Sequence, residues 1–249
     1  MIITIANQKG GVAKTTTTAA LAAGLQARGY RVLVVDLDPQ GNLSESCGAN
    51  NVDAPTMYYV LKKEVTARET IQSVGVYDLL PANIMLAGAE QELHSPGKEY
   101  RLKEELEELQ KDYDFILIDT PPSLGILTTN ALTASDRVLI PTTASIFAVS
   151  GIKQLYDIIQ SVKKYCNHAL EISGILLTRY NKATNVGKSL KRLTEDLGTI
   201  LHARVFESTI RQSVAVDEAQ AMHTCLQDYK KSNAAEDYER FIDEFLQTI

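Results

Sequence analysis

The residues with the clearest chemistry lie close together near the start of the chain: Lys9, Gly10, Gly11, Val12, Ala13, Lys14, Thr15 and Thr16. A glycine-rich turn lets successive backbone N–H groups point into one concavity, where they bind a polyphosphate. A helix starting directly after the turn adds the positive end of its dipole. Lys14 then reaches the outer phosphates as a point charge, and the Thr15 hydroxyl ligates Mg2+. Carboxylates form the second group. Asp36 and Asp38 follow the apolar run Val32 to Val35, and Asp119 ends the run Tyr113-Asp114-Phe115-Ile116-Leu117-Ile118-Asp119. A hydrophobic strand that delivers a carboxylate to the Mg2+ water shell has this layout. The strict G-x-x-x-x-G-K-[ST] pattern is not met, because Gln8 and Ala13 stand where it has glycines. Lys9 is a further lysine at the mouth of the loop.

These groups need a scaffold that brings them to one place. The β-branched run Ile2 to Ala6 predicts a strand, and 15–25 a helix. Arg31 to Asp36 predicts a second strand, whose continuous apolar stretch suits a parallel strand buried on both faces. Ligands in open α/β sheets bind at the carboxyl ends of strands, so the acidic loop Asp36 to Ser44 is expected beside the phosphate loop. Further strands are expected at 77–81, 113–119, 137–141 and 172–178, and longer helices over 147–165 and from about 187 to 197. This alternation predicts βαβ units with right-handed crossovers, hence an α/β fold with a doubly wound, mainly parallel sheet flanked by helices. One domain over 1–249 is expected. Shorter helices are expected at 55–61, 67–74 and 82–92. A charged amphipathic helix over 98–111 would carry Leu102, Leu106 and Leu109 on one face. The stretch 233–249 also reads as amphipathic, with Tyr238, Phe241, Ile242, Phe245 and Leu246 on one side and acids on the other.

Composition narrows the function classes. The chain has 249 residues, 45% of them hydrophobic, which is enough for a sizeable core. A net charge of −6 argues against a globally basic nucleic-acid binder, so any DNA contact must rest on a local patch. Cys47, Cys166 and Cys225 are odd in number and widely spaced, which predicts neither a metal cluster nor a disulfide framework and points to a reducing, cytoplasmic compartment. No window approaches eighteen consecutive apolar residues, and the strand expected from Ile2 leaves no room for a leader segment.

With its second lysine, the loop resembles the deviant Walker A motif of the ParA/MinD family of ATPases, here a P-loop NTPase fold. The stretch Asp36-Leu37-Asp38-Pro39-Gln40-Gly41-Asn42, the loop Thr120 to Gly125, the segment 127–136 and the segment 205–219 resemble that family too, so the likeness covers most of the chain. It implies ATP and Mg2+ as cofactors and slow intrinsic ATP hydrolysis. By the same likeness Asp38 positions the attacking water, Asp36 supports the Mg2+ region with Thr15 and Asp119, and Thr120 to Gly125 senses the γ-phosphate. Lys9 would cross the interface of an ATP-dependent homodimer to reach the partner's ATP. The loop carrying Arg211 and Ser213 would meet the base. Relatives often have Pro and Asn at those two positions and a basic residue at Ala215.

The partition members of the family, ParA and Soj, ride on DNA through scattered basic residues. Lys182, Lys188, Lys191 and Arg192, with Arg211, are the candidates here for sequence-independent, salt-sensitive phosphate contacts. The resemblance further implies a ParB-like centromere-binding partner that stimulates hydrolysis, and nucleoid association in the ATP state. The alternative is a MinD-like or other positioning switch acting on membrane or protein assemblies. A membrane-targeting helix calls for Lys or Arg on its polar face, whereas 233–249 carries Glu236, Asp237, Glu239, Asp243 and Glu244, so no membrane partner is expected. A nitrogenase-reductase-like electron donor needs paired cysteines near the γ-phosphate-sensing loop, and none lies between Cys47 and Cys166. A site-specific DNA-binding regulator would need an added helix-turn-helix, which is not expected before the first strand. A binding module without catalysis would lack Lys14 or Asp38, and both are present.

Overall fold

Strands β1 (Ile2–Ile5), β2 (Val32–Asp36), β3 (Gln72–Val74), β4 (Tyr77–Leu80), β5 (Phe115–Asp119), β6 (Arg137–Thr143), β7 (Glu171–Thr178) and β8 (Val205–Thr209) build one sheet, in a computed structural model that describes residues 1–143, 145–182, 185–222 and 232–249. The expectation for Cys225 lies outside the described residues. The strand order is β3-β4-β2-β5-β1-β6-β7-β8, with every pairing parallel except β3 with β4. In register, Asp119 pairs with Ile5 on one side and Asp36 on the other. The carboxyl ends of the three central strands therefore lie level, and the loops that leave them meet at one edge.

Both faces of the sheet are buried, which explains the apolar runs without alternation. On one face Ile3, Ile5, Val32, Val34, Leu117, Leu139, Leu176 and Phe206 pack under helices α1 (Lys14–Ala27) and α11 (Asn233–Leu246). The helices between them in the chain are α2 (Asn42–Ser46), α3 (Met57–Leu61), α4 (Ala67–Thr70), α5 (Leu86–Glu92), α6 (Arg101–Glu107), α7 (Ile126–Ala134), α8 (Ile146–Tyr165), α9 (Asn185–Ile200) and α10 (Val214–Ala221). On the opposite face α3, α5, α6 and α7 cover Ile2, Leu33, Val35, Ile116 and Ile118, while α8 and α9 cover Val138, Ile140 and Ile175. The expected apolar faces are buried: Leu102, Leu106 and Leu109 on one side of the molecule, Tyr238, Phe241, Ile242 and Phe245 on the other.

Two local expectations need correction. The segment 67–74 is not one helix. The capping box between Thr66 and Glu69 starts α4, but the chain turns extended at Ile71, and Gln72–Val74 pairs antiparallel with β4. Gly75, at φ 71°, makes the reversal possible at a position where a β-carbon would be strained. The expected helix over 98–111 is also shorter, a 3-10 turn at Lys98–Tyr100 leading into α6. Leu109 stays buried beyond the end of that helix.

Candidate active site

A cleft of about 660 Å3 opens at the carboxyl ends of the central strands. One end is lined by Gly10, Gly11, Ala13, Lys14, Thr15 and Thr16, and the other by Ile210, Arg211, Gln212 and Ser213. This volume suits a ligand the size of a nucleotide.

The phosphate loop runs from β1 into α1. Asn7 anchors its start: the Asn7 amide donates to Pro141 O at 2.8 Å, and its Oδ1 accepts from Lys9 N at 2.9 Å. Gly11 and Ala13 both adopt left-handed backbone, at φ 72° and 63°. For alanine that conformation costs about 1 kcal/mol, so the surroundings must impose it. Thr178 at the end of β7 helps to do so by donating to Val12 O at 3.1 Å, and Ala13 O accepts the first helical N–H, from Thr17, at 2.9 Å.

Inside the loop, Lys14 is buried and its Nζ lies 3.5 Å from Lys9 O. Burial lowers its pKa, opposed by the charges of Asp119 and Asp38. Thr15 donates to Asp119 Oδ2 at 2.7 Å, and Thr18 to Asp119 Oδ1 at 3.4 Å. Asp119 and Asp36 are both completely buried. Burial pushes the Asp119 carboxyl well above its usual range, reinforced by the neighbouring Asp36 charge and opposed by Thr15 and Lys14. Burial raises Asp36 as well, against the hydrogen bonds it accepts from Ser44. Two completely buried carboxyls beside one ammonium resist ionising without further positive charge, which a bound divalent cation would supply. Hydroxyl and carboxylate oxygens are hard donors of the kind Mg2+ takes. Among the described residues no group of three or more His, Cys, Asp or Glu side chains is placed to form a metal site alone.

The acidic loop divides its two aspartates between tasks. Asp36 Oδ1 accepts from Asp38 N at 3.0 Å, and Oδ2 from Ser44 N and Oγ at 2.9 and 2.7 Å. Ser44 Oγ in turn accepts Ala82 N. Asp36 is thus occupied with shaping the loop. Asp38 lines the cleft, with Oδ1 braced by Gln40 N at 3.0 Å.

Other candidates lie apart from this centre. Lys9 is half-buried, does not line the cleft, and donates from Nζ to Ser145 Oγ at 3.2 Å. Arg211 lines the opposite end of the cleft, where Asp237 on α11 binds it bidentately, Nε to Oδ2 at 2.8 Å and Nη2 to Oδ1 at 2.9 Å. Arg211 N also donates to Asp237 Oδ2. Its guanidinium is therefore committed within the fold. Ser213 lines the same end. Lys182, Lys188 and Arg192 are exposed at and along α9, whereas Lys191 is half-buried with Nζ 3.8 Å from Glu195. Val12, within the loop, is buried.

Sequence reasoning missed two groups. Arg179, just past β7, also lines the cleft and donates to Gly11 O at 3.3 Å. Tyr238 reaches from α11 to Thr17 Oγ1, 3.0 Å away on the helix behind the phosphate loop. Tyr238 had a signal, its place on the apolar face of 233–249, but helical periodicity does not say which helix receives that face.

A family model described as an AAA domain matches residues 1–172. The chain is 42% identical to the sporulation initiation inhibitor protein Soj of Bacillus subtilis over 88% of its length and 87% of that protein. It is 39% identical to the chromosome partitioning protein ParA of Caulobacter vibrioides, over 88% of this chain and 83% of that one. The chain belongs to the Soj/ParA family of partitioning ATPases. Among solved structures it is similar to one described as cobyrinic acid a,c-diamide synthase from Mycobacterium smegmatis with a bound ATP analogue and magnesium. The TM-score is 0.86 at 36% identity, covering 99% of this chain and 94% of that one. The structural likeness therefore covers essentially the whole sheet, not the phosphate loop alone.

Proposed function

We propose that this Soj/ParA-family ATPase hydrolyses Mg2+-ATP slowly as an ATP-dependent homodimer, binds DNA without sequence preference in the ATP state, and releases it when a ParB-like partner stimulates hydrolysis. The observation that carries the dimer is Lys9. It stands at the outer lip of the phosphate loop and outside its own cleft, while Lys14 already fills the cis position. A lysine so placed fits a role across an interface, which would leave the isolated subunit incomplete and its turnover slow.

In this reading the loop amides and Lys14 hold the phosphates, and Asp38 orients the water that attacks the terminal phosphorus. Thr15 and Asp119 would hold Mg2+, which supplies charge neutralisation on the transferring phosphoryl group. Asp36 maintains the loop that presents Asp38. DNA contact would fall to Lys182, Lys188 and Arg192, exposed on one segment. Arg211 is less suited to it because Asp237 already holds its fork. Among the described residues no helix is long and apolar enough to cross a membrane. In this reading the protein is cytoplasmic and associates with the nucleoid while ATP is bound.

The test is binding of Asp38→Ala protein to random-sequence duplex DNA, with ATP–Mg2+ against ADP, across a salt series. ATP-dependent binding that weakens steeply with salt supports the reading. Dimerisation with ATP but no DNA binding at low salt rejects DNA as the cargo and favours positioning of a protein assembly.

A further inference from the structure

The cation that no motif predicted is Arg179. Its backbone is left-handed, at φ 51°, a conformation that a long side chain adopts only when its neighbours impose it. Those neighbours are fixed. Thr178 Oγ1 donates to Val12 O and Thr142 O, and Tyr180 N donates to Ile210 O at 2.9 Å. The strained residue therefore sits between two clamps, one to the phosphate loop and one to the loop after β8. The result is an exposed guanidinium laid against Gly11, with Nη1 3.3 Å from the Gly11 carbonyl. Among the described residues the guanidinium makes that one hydrogen bond and no ion pair. Arginine carries five N–H donors in a planar fork, so one bond to a carbonyl leaves most of its donor capacity for the cleft it lines.

The direction of the polyphosphate can be read from Lys14. Its ammonium, which chemistry assigns to the outer phosphates, lies toward Lys9 O. The terminal phosphate must therefore lie at the Lys9–Gly11 end of the loop, with Thr15 and Thr16 at the inner end. Arg179 stands over that outer end.

We propose that Arg179 is a second cation, in cis, for the terminal phosphate of the bound nucleotide, and that it makes the site distinguish ATP from ADP. This rests on the reading of the cleft as the ATP site. When the nucleotide binds, the guanidinium exchanges or shares its carbonyl contact for a charge-assisted pair of hydrogen bonds to the outermost phosphate oxygens. ADP offers no group at that position. Because the clamp at Tyr180 N leads to Ile210, the same residue ties occupancy of the phosphate end to the loop at the other end of the cleft.

The test compares Arg179→Ala, Arg179→Lys and wild type for affinity toward ATP and ADP with Mg2+, by calorimetry or fluorescent-analogue displacement in Asp38→Ala background. Wild-type protein that binds neither nucleotide would overturn the ATP-site reading itself. If it binds both, Arg179→Ala is expected to weaken ATP by about tenfold or more while ADP changes less than about twofold, with Arg179→Lys falling between. Equal losses for the two nucleotides would mean that Arg179 only braces Gly11, and no loss would mean that it does not touch the ligand; either overturns the proposal. Arg179→Gly is the companion variant. It removes the guanidinium while relaxing the left-handed backbone, so a discrimination lost in a protein of equal or greater stability cannot be ascribed to misfolding.

Discussion

The two ends of the cleft are built on different principles. At the phosphate end, Lys14 and Thr15 from the start of α1, Asp38 from the loop after β2 and Asp119 from the end of β5 meet because their strands are adjacent in the sheet. Each is held mainly by backbone groups or by another member of the site. At the opposite end, the 210–213 loop leaves an edge strand and is held from behind by a helix at the end of the chain. Asp237 takes the side chain and backbone N–H of Arg211, and Glu244 takes Glu207 N and Ser208 N at 2.8 Å each. Arg240 adds a second guanidinium on Asp237. The first end is chemistry supported by a sheet, and the second is a surface held in place by a latch. Loss of one group should therefore abolish function at the first end and loosen structure at the second.

The largest effects should come from the phosphate end with little change in stability. Lys14→Ala should lower ATP turnover by about 10²–10³-fold, read as phosphate release. Asp38→Ala should lower hydrolysis by about 10²-fold or more while ATP binding persists. A mutant that unfolds instead would erase the distinction between the two ends.

Asp237→Ala should do the reverse. It leaves the Arg211 N–H and guanidinium without their carboxylate and should cost about 2–4 kcal/mol of stability, measured by urea unfolding. ATP should still bind but dissociate faster. The same pair has a pH signature. Burial opposes ionisation of Asp237, but hydrogen bonds from Arg211 outweigh it and hold the carboxyl below its usual range. A depressed folded pKa contributes stability that is fully present above the unfolded pKa, near about 4. That stability is lost as pH falls through the folded value. Asp237→Asn protein should show a flatter acid limb in unfolding midpoint against pH; an unchanged slope would remove the latch from the account.

Smaller changes sharpen the comparison where the two ends touch. Tyr238→Phe removes the hydroxyl that meets Thr17 behind the phosphate loop, and should cost about 1 kcal/mol with turnover nearly unchanged. Ala13→Gly relieves the left-handed alanine and should raise stability by about 0.5–1 kcal/mol. A loss of stability there would show that the loop gains more from the alanine than it loses in strain.

The latch also explains a particular of α1. A β-carbon at Gly24 would overlap the δ-methyl of Ile242, so α11 approaches the phosphate-loop helix more closely there than an alanine would allow. Arg28, near the end of α1, then reaches both Glu239 and Asp243 on α11. Acids that the sequence places on the polar face of 233–249 thus meet a cation of the same subunit at the rim of its packing.

The primary sequence by itself determined the phosphate end, the strand pattern and the buried face of the last helix. These depend on local periodicity and on residue types whose chemistry acts over a few positions: a glycine turn before a helix, a carboxylate after an apolar run. Short elements were less legible. The stretch 67–74 split into a turn of helix and an edge strand because pairing with β4 outweighed weak local preference. Only the tertiary structure decided that Asp36 supports the loop of Asp38, that Asp237 holds Arg211, and that Arg179 lies over Gly11. In each case the partners come from different elements, 8, 26 and 168 residues apart for the bonded pairs Asp36–Ser44, Arg211–Asp237 and Arg179–Gly11. Charge and hydrogen-bonding capacity are visible in a residue's identity, but the group that answers them is chosen by packing.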